Sequence, residues 1–302
     1  MSSDPAAAPI ELAASGRART LRGILLMMVG FFFYATADMV AKVLTQSMHP
    51  IQVAWVRQFG LLAGVVTLLA IHGAVIMRSR YPVLQICRGL TVVAASTSFV
   101  IAITYVPLAD AVAITFLAPF IVTVLGALVL GERVGPHRWI AVALGFAGTL
   151  VIIRPGQGML HPAILLALIA AAAFAFRQVI SRVLTGSDPI STTVVYTGLT
   201  ATMALTLPLP FFWSTPASGI DLLLMAAMAA AAGCGELAII RALELAEVVV
   251  LSPLQYTLIV WSTMWGFLVF TQLPDMWTLT GTGLVVASGI YTIWREARAG
   301  RT

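Results

Sequence analysis

Residues 23–154 and 163–295 carry one pattern twice, and that repetition restricts the fold more than any other feature of the chain. Lys42-Val43-Leu44-Thr45, followed by Pro50-Ile51, is answered by Arg182-Val183-Leu184-Thr185, followed by Pro189-Ile190. Leu108-Ala109-Asp110 is answered by Leu245-Ala246-Glu247. Between these motifs the apolar residues fall in blocks of about 20, the length that crosses ~30 Å of hydrocarbon at ~1.5 Å per residue. The blocks are continuous rather than alternating, which excludes a β-barrel. With 60% apolar and 10% charged residues, a water-soluble fold of 302 residues could not cover its surface. An all-α polytopic membrane protein is therefore expected, with its binding site between two tandem halves.

Breaks at charge clusters, Gly/Pro pairs and polar loops divide the chain into ten expected transmembrane helices. They cover 23–45, 50–72, 83–105, 107–130, 136–153, 162–185, 189–212, 219–243, 247–270 and 276–294. Residues 1–21 are polar and Ala/Pro-rich and lack the apolar core of a signal peptide, so a disordered cytoplasmic tail is expected there. One side of the bundle collects Arg17, Arg19, Arg22, Arg78, Arg80, Arg133, Arg138, Arg182, Arg295, Arg298 and Arg301. The other side keeps Lys42 and Arg154, so both termini are expected in the cytoplasm. Five helices per half make the second copy enter the membrane from the opposite side, giving two inverted repeats over 22–155 and 161–296. The net charge of +5 follows from this flanking of the apolar blocks and does not imply nucleic-acid binding.

Five ionisable residues stand well inside the expected spans: Asp38, Arg57, Arg88, Arg177 and Glu236. Such groups are costly in hydrocarbon and face a cavity or a partner. Asp38 and Arg57 both lie ~10 Å from the outer surface by residue counting, within reach of one another. Arg88, Arg177 and Glu236 share a similar depth in the inner half. Two readings stand side by side: these groups line a translocation path, or they form buried ion pairs that fix packing. In the inner half two arginines face one glutamate, and the spare guanidinium suits bidentate capture of a carboxylate. Snorkelling to the surface is the alternative for Arg88. Arg241 and Glu244 are expected to satisfy each other one turn apart, and Asp110 and Glu247 to sit at helix starts.

Pro119 and Pro253 interrupt the fourth and ninth spans, and broken helices in corresponding halves point to a transport site. Passive kinks are the alternative reading of both. Tyr34, Phe99, Phe116, Phe174, Tyr256 and Trp261 lie on the same helices as the charges and prolines. Tyr34 shares a helical face with Phe31 and Asp38, and Phe174 with Arg177. Aromatic and charged walls suit a ligand with a ring and a charged headgroup, while ordinary packing or lipid contact is the alternative. Trp277 and Trp294 read as interfacial anchors. Gly60-x3-Gly64 permits close helix approach, within the chain or in a dimer. Cys87 and Cys234 read as small packing residues. The four histidines His49, His72, His137 and His161 lie at helix ends or loops, and no Walker loop, H-E-x-x-H or G-x-S-x-G occurs. An enzyme is therefore not expected, nor a metal or cofactor.

Several of these motifs together resemble the EamA domains of the drug/metabolite transporter superfamily. They are Arg88-Gly89, Tyr105-x-Pro107-Leu108-Ala109-Asp110-Ala111, Phe116-Leu117-Ala118-Pro119, Leu130-Gly131-Glu132-Arg133, Pro253-Leu254-Gln255-Tyr256 and Trp294-Arg295-Glu296. Thr271-Gln272 stands where the second copy usually has Gly-Glu, a change with no expected central effect. The resemblance implies a multi-pass protein of the bacterial inner membrane that moves small metabolites by alternating access. Within the family it resembles the exporters of aromatic and other neutral amino acids, with importers of riboflavin or another flat metabolite such as S-adenosylmethionine as the alternative. A non-transporting structural membrane protein is the alternative class. The expected partners are a small amino-acid-like substrate and the bilayer, not nucleic acid, with the chain a monomer or weak dimer. Tyr34, Asp38, Arg57, Arg88, Phe99, Phe116, Phe174, Arg177, Glu236, Tyr256 and Trp261 are the expected substrate contacts, and Pro119 and Pro253 the gating residues.

Overall fold

A computed structural model describes residues 7–129, 131, 134–154, 161–184 and 187–299, and all regular structure among them is helical. Seven segments are long and apolar enough to cross a membrane: Ala18–Leu44, Pro50–Ile71, Pro82–Tyr105, Leu108–Val129, Pro136–Ile153, Ala163–Leu184 and Gly219–Leu245. The other three expected spans correspond to α8 (Ile190–Thr206), to a broken segment ending in α12 (Thr257–Phe270), and to α13 (Met276–Ala299). The first two are short continuous helices of 17 and 14 residues.

Local chemistry sets the helix starts. Proline opens α2 (Pro50–His72), α3 (Pro82–Tyr105) and α6 (Pro136–Ile153), where its missing N–H would have no partner in any case. α10 (Gly219–Leu245) begins with a capping box, in which Ser218 Oγ accepts from the Asp221 N–H and the Asp221 carboxylate accepts from the Ser218 N–H. α1 spans Ala7–Leu44, which corrects the expected tail. Residues 7–20 continue the helix because their alanines, Glu11 and arginines favour it, while residues 1–6, Glu132, Arg133 and Arg301 lie outside the described residues.

Proline also sets the breaks. The fourth span divides into α4 (Leu108–Thr115) and α5 (Ala118–Val129). Pro119 cannot donate to the Thr115 carbonyl, so Phe116 and Leu117 tighten onto Ala113 and Ile114 at 3.2 and 3.0 Å. In the ninth span, α11 (Val248–Leu251) gives way to a 3₁₀ turn over Ser252–Tyr256 before α12. The seventh span breaks too, between α8 and α9 (Leu209–Phe212) at Leu207-Pro208, where one continuous helix was expected.

α1 packs mainly on α10 and α12, α3 on α7 (Ala163–Leu184) and α8, and α6 on α13. α2 joins α10 and α8, and α7 touches α4 and α5. Glycine allows the closest approaches: a Cβ on Gly60 would stand 2.6 Å from the Gly233 nitrogen, and one on Gly148 2.7 Å from the Gly281 carbonyl. A Cβ on Gly64, the other half of the expected small-residue motif, would meet no other described element within 4 Å. Cys87 and Cys234 are free and exposed, not packed as expected, because each lies on the outward face of its helix.

Candidate functional site

The deep charges converge between α1, α2, α3, α7, α8 and α10. On α1, Tyr34 and Asp38 are one turn apart and share the inward face. Asp38, with its side chain 5% exposed, pairs with Arg57 of α2 through Oδ1 and Nη1. Tyr34 donates its hydroxyl to Glu236 Oε2 of α10, joining two residues 202 positions apart. Tyr34 and Asp38, one turn apart on α1, thus link the inner Glu236 and the outer Arg57 through one helix face.

Arg88 does not snorkel, and among the described residues it pairs with no carboxylate. Its Nε donates to Ser181 Oγ of α7 at 2.7 Å, and its Nη1 donates to Thr197 Oγ1 of α8. Both hydroxyls spend their own protons on backbone carbonyls one turn back, Ser181 on Arg177 and Thr197 on Thr193, each at 2.7 Å. Their oxygens are thereby fixed as acceptors for the guanidinium. Arg177 lies over the Phe174 ring, 4.4 Å from its centroid, and among the described residues makes no ion pair. Three central arginines thus face two central carboxylates, one of them already paired.

The aromatic residues divide. Phe174 belongs to this core through Arg177, and Tyr34 through Glu236. Phe116 and Tyr256 meet edge-on at 5.1 Å, bringing the two proline-broken segments together, and both are buried. Pro119 and Pro253 lie beside this contact in sequence. Trp261 of α12 packs edge-on against Phe32 at 5.4 Å, and its buried indole N–H has no partner among the described residues. Phe99 packs against the main apolar core.

A second polar cluster sits at the far end of α1, and it was not foreseen. Lys42, 7% exposed, donates to the Val106 carbonyl at 2.7 Å and to Gln272 Oε1 at 3.3 Å. Arg154 ends α6 in the left-handed conformation and pairs with Asp275, whose Oδ1 accepts from the Thr278 N–H at 2.9 Å. The Arg154 hydrogen bond holds the Asp275 carboxyl down at about 2. Thr271-Gln272 therefore has a role that was not expected: Thr271 caps α12 at φ 56°, the conformation that favours glycine, and Gln272 reaches Lys42. The opposite end carries a comparable tie. Asp188 accepts from Ser79 Oγ, the Arg80 N–H and Gln85 Nε2, and the Ser79 hydrogen bond pulls its carboxyl below the usual range.

Arg241 and Glu244 pair at 2.9 Å as expected, and Asp110 lies in the first turn of α4. Trp277 and Trp294 are about half exposed, as anchors would be.

Long apolar helices enclosing a core of arginine, carboxylate, hydroxyl and aromatic groups define a multi-pass membrane protein with a polar interior. Residues 21–154 match the EamA-like transporter family. An S-adenosylmethionine uptake transporter of Rickettsia felis is 24% identical over 280 residues, covering 92% of this chain and 95% of its own. A riboflavin transporter of Rhizobium johnstonii is 27% identical over 232 residues, 76% of each chain. A pseudopaline exporter of Pseudomonas aeruginosa is 25% identical over 273 residues, 89% of this chain and 94% of that one. A solved crystal structure has the same fold, with a TM-score of 0.63 at 18% identity over 90% of this chain and 96% of its own. These comparisons point to a transporter and not an enzyme. None of the three relatives is an aromatic amino-acid exporter, so the finer resemblance gains no support from them.

Proposed function

We propose that this chain is a secondary transporter of the bacterial inner membrane, exporting small zwitterionic metabolites of the amino-acid type, aromatic and other neutral ones included. The observation that carries this reading is the central excess of guanidinium. Arg177 has a ring beneath it and no carboxylate partner among the described residues, beside Arg88 held by hydroxyls. A substrate carboxylate would pair with Arg177, Glu236 would face its ammonium, and Phe174 and Tyr34 would flank its side chain.

Alternating access needs two halves that exchange roles, and the packing supports that reading. Exchanging helices 1–5 with 6–10 turns the contact of α1 with α10 into that of α7 with α3. It likewise turns α2 with α10 into α8 with α3, and α1 with α12 into α7 with α4 and α5. The pairs α2–α8 and α6–α13 map onto themselves. This symmetry favours ten spans in two inverted five-helix repeats, 22–155 and 161–296, and the arginine asymmetry favours both termini in the cytoplasm. Pro119 and Pro253, at the broken segments, would then let the fourth and ninth spans bend as the halves rock.

Uptake of S-adenosylmethionine is the second reading, favoured by relatives of that name that align over nearly the whole chain. That molecule is itself an amino acid bearing a flat purine, so it asks for the same carboxylate site. Flux into proteoliposomes of labelled phenylalanine, S-adenosylmethionine and riboflavin, with and without a pH gradient, separates the readings. Saturable phenylalanine flux is the expected result. Flux of S-adenosylmethionine alone replaces export with the second reading, and flux of riboflavin alone overturns both.

A further inference from the structure

We propose that Lys42 is the latch of a gate at its end of the bundle, tying the two repeats together, and that Gln272 sets how firmly it holds. Lys42 lies one turn beyond Asp38 on α1, as Asp38 lies one turn beyond Tyr34, so the polar stripe of α1 ends on it. Its ammonium sits where three helices finish. Lys42 is in the last turn of α1, and the Val106 carbonyl that accepts from its Nζ at 2.7 Å caps α3. Phe270 is the last residue of α12, and its ring centroid lies 5.2 Å from Nζ. Helix C-termini carry partial negative charge, which favours a cation there. Past the left-handed cap at Thr271, the Gln272 N–H bonds to the Gly266 carbonyl at 2.9 Å, and Gln272 Oε1 accepts from Lys42 at 3.3 Å. Among the described residues Lys42 has no ion-pair partner. Its contacts are a carbonyl, an amide and a ring, so it is held by neutral groups and can be released.

The two hydrogen bonds differ in what they join. That to Val106 stays within the first repeat, and that to Gln272 crosses to the second. This inference rests on the alternating-access reading, in which the contact of α1 with α12 exchanges for that of α7 with α4 and α5. The Gln272 bond lies on that contact, so it breaks as the halves rock, while the Val106 bond persists. Two other ties at this end lie beside helix pairs that map onto themselves and stay fixed. Gln52 exchanges hydrogen bonds of 2.9 and 2.8 Å with the Ser214 backbone on the α2–α8 side, and Arg154 pairs with Asp275 between α6 and α13. Gly131 and Thr271 are both left-handed, at φ 67° and 56°, which sets Gln272 in sequence register with Glu132 of the first repeat. A neutral amide at 272 holds the ammonium more lightly than a carboxylate would.

Spin labels on Gln46→Cys and Leu273→Cys test the latch, in the full-length chain with Cys87→Ser and Cys234→Ser, reconstituted in liposomes. Dipolar broadening between the labels gives the ratio of separated to close pairs. Gln272→Leu should raise that ratio about tenfold, the scale of one hydrogen bond to a charged group, and Lys42→Met should raise it at least as much. Gln272→Glu should hold it at or below the wild-type value, and Asp275→Asn should leave it unchanged. Gln272 is only half-buried in the link after α12, so its variants test the latch even where Lys42→Met fails to fold. An unchanged ratio in Gln272→Leu, a higher one in Gln272→Glu, or an equal rise in Asp275→Asn overturns the proposal. Absence of flux for every labelled substrate, with these shifts intact, counts against the transport reading and leaves the latch standing.

Discussion

Removing Asp38 strands Arg57, and the size of the loss follows from their burial. The Asp38 side chain is 5% exposed and that of Arg57 18%, on adjacent helices where neither can reach bulk water without repacking. Breaking a buried pair by deleting one partner costs about 3–5 kcal/mol, because the remaining charge keeps its desolvation penalty. Replacing both by apolar residues of similar size is about neutral. Asp38→Leu and Arg57→Met singly should each lower stability by about 4 kcal/mol, and together by less than about 1, a coupling of several kcal/mol. Reversible unfolding in mixed micelles, titrated with a denaturing detergent, gives all four corners of the cycle. Singles within about 0.5 kcal/mol of wild type, or a double mutant equal to their sum, would refute the pairing argument. Flux in the double mutant then separates the two readings of the pair: a packing role leaves transport intact, and a path-lining role abolishes it.

Three further outcomes are expected. Pro119→Ala and Pro253→Ala restore the missing N–H donors and should raise the thermal midpoint while slowing flux severalfold; unchanged flux in both would show passive kinks. Gly60→Ala forces a methyl against the Gly233 backbone and should destabilise α2 against α10 by about 1–3 kcal/mol, read in the same unfolding assay, whereas Gly64→Ala, in open space, should not. Asp275, held at about 2 by Arg154, contributes stability above its ordinary value of ~3.9 and loses it as pH falls through about 2. Its side chain is 48% exposed, so the effect is small, and Asp275→Asn should remove that part of the acid slope of the thermal midpoint.

Depth counting from helix ends was enough to bring Asp38 to Arg57, because adjacent antiparallel helices joined by a short loop preserve depth. The breaks at Pro119 and Pro253 were legible for a similar reason: a missing N–H acts locally whatever surrounds it. Pro208 obeys the same rule and was passed over because the apolar run continued through it to Phe212. Contacts between the halves were not legible. Serine and threonine are common in membrane helices, so nothing marked Ser181 and Thr197 as the partners of Arg88. One signal was available, since Arg177 and Ser181 share a face at one-turn spacing. Tyr34 was named for its ring, and only the packing of α1 on α10 gives its hydroxyl to Glu236. Gln272 was read by its lost charge, although a neutral amide oxygen still accepts from Lys42.

The central claim is that Arg177 receives a substrate carboxylate, and its most direct test compares labelled phenylalanine with phenylalaninamide in proteoliposomes of wild type and Arg177→Ala. A charge-assisted hydrogen-bonded contact is worth about 1.5–3 kcal/mol, so wild type should prefer the carboxylate by roughly 10- to 150-fold. Arg177→Ala should lose that preference while its purified form stays folded. Wild-type discrimination surviving in Arg177→Ala, or equal flux of acid and amide in wild type, would contradict the account.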